Sequence, residues 1–275
     1  MKSVLNAMSN LSRRLIPMAA IGALSTFSAH AVVLGDDDRT QVRTPANIDA
    51  STVAILNPAG SVGCTGVSVG LSFVATSAAC VYDFEAGAPR RGLTVAPQYH
   101  GSLGLQPVEP FEMYRIFIPA ALIQDYGFNG WTQFATEWNI AIVQVVELSP
   151  EDRFEDWAPY LDIEFSTTND LAGQTVTMTD YEGQDQFIQT CNTVARTGVS
   201  FQPPGHECDT GERSYGAGLV MNGRVVGVHS VENMRRGENF YALFSRSWLD
   251  DLQKIILQYE FDDLEQFDVF EVWEP

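Results

Sequence analysis

Imidazoles, amines and thiols, the side chains suited to acid–base and nucleophilic work near neutral pH, are few in this chain. Beyond residue 31 there are three histidines (His100, His206 and His229), one lysine (Lys254) and four cysteines (Cys64, Cys80, Cys191 and Cys208). Covalent catalysis needs a hydroxyl or thiol within reach of a base that is itself held in place. Lys254 falls inside a helical stretch near the C-terminus, which argues against a serine–lysine pair. A lone histidine is more often packed or solvated than catalytic, so each needs a partner before it implies a reaction. No Cys-x-x-Cys or His-x-x-x-His spacing occurs, so neither a metal nor any other cofactor is expected. Ser214 has a usable hydroxyl type, in the turn-rich run Cys208-Asp209-Thr210-Gly211-Glu212-Arg213-Ser214-Tyr215-Gly216.

The elements that must position these residues read as short strands. Segments rich in Val, Ile, Phe and Tyr lie at 53–56, 65–69, 73–75, 93–96, 114–118, 140–145, 175–179, 187–194, 218–221, 224–229 and 240–244. Asn222-Gly223, between two apolar runs, is a two-residue hairpin signal. Short strands with frequent turns point to an all-β barrel or sandwich rather than a βαβ fold. Two helices are expected: a short turn at 76–82, and 247–259, where Trp248, Leu249, Leu252, Ile255, Ile256 and Tyr259 recur at helical spacing. The acidic stretch 148–172 reads as a junction between two halves.

The N-terminus carries Lys2, Arg13 and Arg14, then an uncharged run from Leu15 to Ala29, then Ala29-His30-Ala31. A basic start, an apolar core and a small-x-small site define a cleavable secretory leader, here residues 1–31. The run is shorter than the roughly 20 apolar residues of a membrane span. Removing the leader takes away three basic residues and no acidic ones, leaving 13 against 35 and a net charge near −22. Such a surface suits neither nucleic acid nor anionic membranes, so neither partner is expected. Four cysteines in an exported chain read as two disulfides, for which three pairings exist. Nearest-neighbour pairing closes two loops of similar length, one in each half.

Three stretches are similar to bacterial trypsin-like serine peptidases of the glutamyl-endopeptidase branch. The first is Val32-Val33-Leu34-Gly35-Asp36-Asp37-Asp38-Arg39. The second joins Cys64-Thr65-Gly66-Val67 to Phe73-Val74-Ala75-Thr76-Ser77-Ala78-Ala79-Cys80-Val81-Tyr82-Asp83, where the family reads L-T-A-A-H-C-V-Y-D. The third, Cys208 to Val220 followed by Asn222 to His229, resembles C-D-T-G-G-G-S-S-G-S-P-V-V and a hairpin ending in G-I-H. The resemblance spans nearly all of residues 32–258. It implies two six-stranded antiparallel β-barrels closed by a C-terminal helix, with disulfides Cys64–Cys80 and Cys191–Cys208.

It also marks where the catalytic groups of the family would stand. The histidine position holds Ala79, the aspartate position Asn139 in Asn139-Ile140-Ala141-Ile142-Val143, and the serine position Tyr215. A methyl group accepts no proton, an amide carries no charge to hold an imidazolium, and a phenol of pKa about 10 is a poor nucleophile. Arg213 replaces the glycine whose N–H would face the oxyanion, and Gly218 replaces a proline. A one-residue slip would make Ser214 the nucleophile without restoring a base. Glu137, two residues before Asn139, is expected on the same strand face. Asp209, Ser214 and His229 remain as binding candidates, since some relatives use the hairpin histidine to read acidic side chains.

The expected protein is thus an exported, non-catalytic peptidase homologue, monomeric, with a peptide or protein bound in the former cleft. The alternatives are an active endopeptidase with relocated groups and an envelope or matrix structural protein. Residues 259–275, acidic and aromatic, read as an extra strand or a docking tail, with packing on the protein's own surface the preferred expectation.

Overall fold

The computed structural model describes residues 36–104, 109–146, 153–194, 204–233, 238–257 and 270–274. The leader, its cleavage site and residues 32–35 lie outside the described residues. Six strands form the first barrel: β1 (Thr52–Leu56), β2 (Val62–Gly70), β3 (Phe73–Thr76), β4 (Thr94–Pro97), β5 (Phe111–Pro119) and β6 (Ala141–Val145). β1 pairs with β2 and β4, β3 with β2 and β6, and β5 with β4 and β6, which closes the sheet. The second barrel contains β7 (Thr175–Glu182), β8 (Asp185–Val194), β9 (Gly205–His206), β10 (Gly218–Met221), β11 (Arg224–Asn233) and β12 (Glu238–Leu243). It closes through β8–β9 and β9–β12 pairing.

Side-chain alternation explains why strands of the first barrel are apolar on both faces. Val74 of β3 and Val143 of β6 point into the first barrel with Val53, Ile55, Val95 and Phe111. Their neighbours Phe73, Ala75 and Ile142 face the other way, into a core shared with Val225, Val228, Trp248, Leu252 and Ile255. The second barrel fills with Val176, Met178, Leu219, Val226 and Tyr241. The helix Leu249–Leu257 seals the shared core with Leu252 and Ile255, each burial contributing about 1.5–3 kcal/mol. Asp250 and Asp251 in its first turn, and Lys254 in its last, suit its dipole.

Asn222 and Gly223 both take positive φ (52° and 76°), the geometry a tight β10–β11 hairpin requires. Both disulfides join the pairs expected, with Cα separations of 6.0 Å for Cys64–Cys80 and 5.1 Å for Cys191–Cys208. Each closes a loop worth roughly 3 kcal/mol on the chain-entropy view. Two disulfides are compatible with an extracellular protein.

The structure departs from the sequence reading between β5 and β6. Helices span Ala120–Asn129 and Gln133–Glu137, so Glu137 ends a helix and does not share a strand with Asn139. The first of them buries only Leu122, so no apolar stripe announces it. Near the C-terminus, Phe270–Trp273 forms β13, antiparallel to β5. Its Phe270 ring meets Trp248 at 5.6 Å, and Trp273 meets Tyr82 at 5.3 Å, tying the tail to both the shared core and the first barrel.

Candidate functional site

Ala79 lies in the one-turn helix Ala78–Val81, which follows β3 directly. Asn139 lies in the turn between the helix Gln133–Glu137 and β6. The two meet: the Ala79 N–H donates to Asn139 Oδ1 at 3.0 Å. Asn139 is fully buried, and its Nδ2 donates to Ser230 O at 3.2 Å and Ser230 Oγ at 3.0 Å. The Ser230 hydroxyl donates in turn to Thr136 O at 2.8 Å. Asn139 is therefore a clamp that joins the first barrel to β11 of the second.

Tyr215 comes to the same place from the second barrel. Its carbonyl accepts the Thr65 N–H at 2.9 Å and lies 3.5 Å from Cys80 Sγ. Its ring is partly buried, packing against the first barrel's core and lying 5.5 Å from the His229 ring. Gly216 makes this approach feasible. Its φ is +84°, and a Cβ there would stand 2.0 Å from Thr76 Oγ1 and 2.2 Å from Thr65 O, so only glycine fits. Burial, with a smaller contribution from the Glu232 charge, raises the Tyr215 phenol above its ordinary range, which keeps it protonated.

Ser214 is fully buried. Its hydroxyl donates to Asp180 Oδ2 and accepts the Gly211 N–H at 2.7 Å. Burial pushes the Asp180 carboxyl up to about 6, against the lowering by Ser214 and by Arg39, whose Nη1 is 3.6 Å away. The slipped register thus gives Ser214 a buried carboxylate as its candidate base, in place of the imidazole of the triad. Arg213 donates from Nε to Val62 O, its carbonyl accepts from Thr65 Oγ1 at 2.7 Å, and its φ is not positive. Asp209 accepts the Asp38 N–H at 3.0 Å through Oδ2, tying the N-terminal segment to the same loop.

One hydroxyl does lie near a histidine and a carboxylate. Ser102 Oγ is 3.4 Å, and Asp185 Oδ1 3.2 Å, from His100 Nδ1. Both use the same ring nitrogen, while His100 Nε2 lies 2.8 Å from Val42 O. A proton relay needs the hydroxyl and the carboxylate on opposite nitrogens, so this trio cannot act as one.

Sequence reasoning named His206 without a partner and missed Glu232. His229 Nδ1 is 2.9 Å from His206 Nε2, and His229 Nε2 is 3.6 Å from Glu232 Oε1. The pairing of β11 with β12 slips between His229 and Val231, leaving Ser230 as a bulge. Simple alternation would send Glu232 to the face opposite His229; the extra residue returns it to the same face.

No protein-family model and no curated protein matches the chain. Solved structures do match. Glu endopeptidase in complex with MPD is 19% identical, covering 82% of this chain and 100% of that one, with a TM-score of 0.65. The protease Anisep from Arthrobacter nicotinovorans is 16% identical over 79% and 99%, TM-score 0.59. Human heparin binding protein is 14% identical over 84% and 100%, TM-score 0.58. At these identities the likeness speaks for architecture, and the chain has the trypsin-like fold of two closed six-stranded β-barrels.

Proposed function

We propose that this chain is an exported serine-peptidase homologue that does not hydrolyse its ligand and binds a peptide or protein, as a monomer, along the cleft between its barrels. The observation that carries this is the state of Asn139. An amide, not a carboxylate, stands beside Ala79, and its hydrogen bonds go to the Ala79 backbone and to Ser230. With a methyl group at Ala79, nothing there can take a proton from a nucleophile, and the nearby phenol of Tyr215 stays protonated. The Arg213 side chain is spent on Val62 O, and the Ser214 hydroxyl on Asp180. Interbarrel packing holds the cleft walls in place, so a recognition surface outlasts the loss of chemistry.

The test is a panel of caseins incubated with the purified protein. Intact caseins after prolonged incubation, with saturable binding of their tryptic peptides by fluorescence polarisation, are the expected result. Fragments that accumulate in proportion to protein concentration, and that survive repurification, would establish a peptidase with relocated groups. Concentration-dependent self-assembly without peptide binding would establish the structural alternative.

A further inference from the structure

His206 carries a buried ring nitrogen that the proposed function leaves unused. The residue is 2% exposed, and its Nδ1 has no hydrogen-bond partner among the described residues. Its Nε2 lies 2.9 Å from His229 Nδ1, a contact that needs one donor and one acceptor. On the far side of His229, Nε2 faces Glu232 Oε1 at 3.6 Å. A proton on His229 Nε2 sets an N–H against that carboxylate; the other tautomer would set a bare lone pair against it. His229 Nδ1 is then the acceptor and His206 Nε2 the donor, which leaves His206 Nδ1 as a bare lone pair in the interior.

The β8–β9 ladder decides what stands beside that ring. Thr193 pairs with His206 and Val194 with Gly205, and the Glu207 N–H donates to Asn192 O at 2.9 Å. One step further along, Cys191 stands opposite Cys208 and is joined to it by the disulfide. Alternation along the two chains puts both sulfurs and the imidazole on one face. A ring nitrogen of His206 and the two Sγ atoms all lie within 4.8 Å of one another. Cys208 is fully buried, Cys191 is partly exposed, and both pack with Leu171, Val176 and Met178. The three residues come from two paired segments, so no short metal-binding spacing announces them.

Two thiolates and a neutral imidazole are three of the four ligands of a tetrahedral zinc, and with Zn²⁺ they carry no net charge. A site without net charge suits an apolar interior. A ligating imidazole ordinarily has a partner on its other nitrogen that fixes its tautomer and orientation, and His229, backed by Glu232, supplies one.

We infer that Cys191, Cys208 and His206 form a zinc site when the two cysteines are thiols, and that the metal and the disulfide are mutually exclusive occupants. The thiol form is the newly made chain, or the disulfide reduced by a dithiol. In that exchange a thiolate of the reductant attacks the partly exposed Cys191 sulfur, and Cys208 leaves as a thiolate. The second thiol then closes the reductant's own disulfide and frees Cys191. Zn²⁺ binds as the two cysteines give up their protons. The metal holds β8 to the segment after β9, as the disulfide does.

The experiment uses the full exported chain carrying Cys64→Ser/Cys80→Ser, so that one pair of thiols remains. It is reduced in water by a phosphine, which leaves as its oxide and competes little for the metal. The reduced protein should bind one Zn²⁺ per chain against a chromophoric chelator and release about two protons. Co²⁺ should give the visible absorption of a tetrahedral thiolate complex. The oxidised protein should bind neither metal. His229→Ala, which removes the orienting partner, should weaken Zn²⁺ roughly 10- to 100-fold. His206→Ala should weaken it further and alter the cobalt spectrum. Unchanged affinity in His206→Ala would overturn the ligand set, as would equal binding by the oxidised protein. Where the serine variant does not fold, reduced wild type is alkylated with iodoacetamide and each cysteine is read by peptide mass. Zn²⁺ should slow alkylation of Cys191 and Cys208 by at least about tenfold and leave Cys64 and Cys80 unprotected. Protection of all four cysteines alike, or of none, would overturn the inference.

Discussion

Replacing Asn139 with aspartate changes one atom type in a fully buried clamp, and the cost follows from the hydrogen bonds around it. The bond accepted from the Ala79 N–H survives, because either carboxylate oxygen can accept it. Both bonds donated by Nδ2 are lost, and a carboxylate oxygen comes to rest about where Nδ2 stood, 3.2 Å from Ser230 O. Ser230 Oγ can rotate to donate to the new carboxylate only by abandoning Thr136 O. Either way a buried acceptor is orphaned beside a desolvated charge. Each orphan costs about 1–3 kcal/mol, more when charged, so Asn139→Asp should lose about 3–5 kcal/mol at pH 7. For a domain of this size that is a drop in Tm of roughly 6–20 °C. The sign of the pH dependence is fixed by the same burial. Desolvation raises the folded-state pKa of the new carboxyl above its unfolded value of about 3.9. The penalty is therefore full above the folded pKa and vanishes below the unfolded one, so the variant should approach wild type as pH falls from 7 toward 4. Urea denaturation of both proteins across that range measures the difference and cancels the other carboxylates. Equal stability at pH 7 would refute the clamp, since Nδ2 would then have no bond to lose.

Three further outcomes are expected. Asp180, fully buried with its carboxyl near 6, is destabilising once ionised; wild type should lose stability relative to Asp180→Asn between about pH 4 and pH 6, by roughly 3 kcal/mol, measured by denaturant titration. Phe270→Ala, which empties a buried ring site against Trp248, should cost about 3 kcal/mol and expose Trp248 to fluorescence quenchers. Ala79→His with Asn139→Asp and Tyr215→Ser should recover little peptide-ester hydrolysis; adding Arg213→Gly, which permits the backbone to turn an N–H toward an oxyanion, should raise that rate by about 10² to 10³.

The fold was legible because its signals are local and repeated. Short, nearly continuous apolar runs in 53–56 and 140–145, the Asn222-Gly223 turn and the paired cysteines each name an element. The family resemblance, matched in chain order, implies that Ala79, Asn139 and Tyr215 share one region, and the Ala79–Asn139 bond and the Tyr215–Cys80 contact join them there. What escaped the sequence depends on context beyond a few residues. The strand Gly205–His206 is too short to show a period, and the helix Ala120–Asn129 fully buries only Leu122, with Ile123 and Tyr126 packed beside it. Glu137 lost its strand assignment to the helix Gln133–Glu137. Glu232 was hidden by the Ser230 bulge, which reverses the face that strict alternation assigns. The arginine at 213 and the serine at 214 read as damage or as a shifted nucleophile, while their hydrogen bonds to Val62 and Asp180 make them parts of the scaffold.

The claim that the site lacks a working nucleophile is tested most directly by intact-mass analysis after exposure to a fluorophosphonate, which reacts with hydroxyls activated by a neighbouring base. The account predicts an unchanged mass for the folded wild type under conditions that fully label an active serine peptidase. Stoichiometric single labelling that is lost on denaturation would contradict it, and the adduct mapped by peptide sequencing would name the nucleophile, at Ser214 or elsewhere.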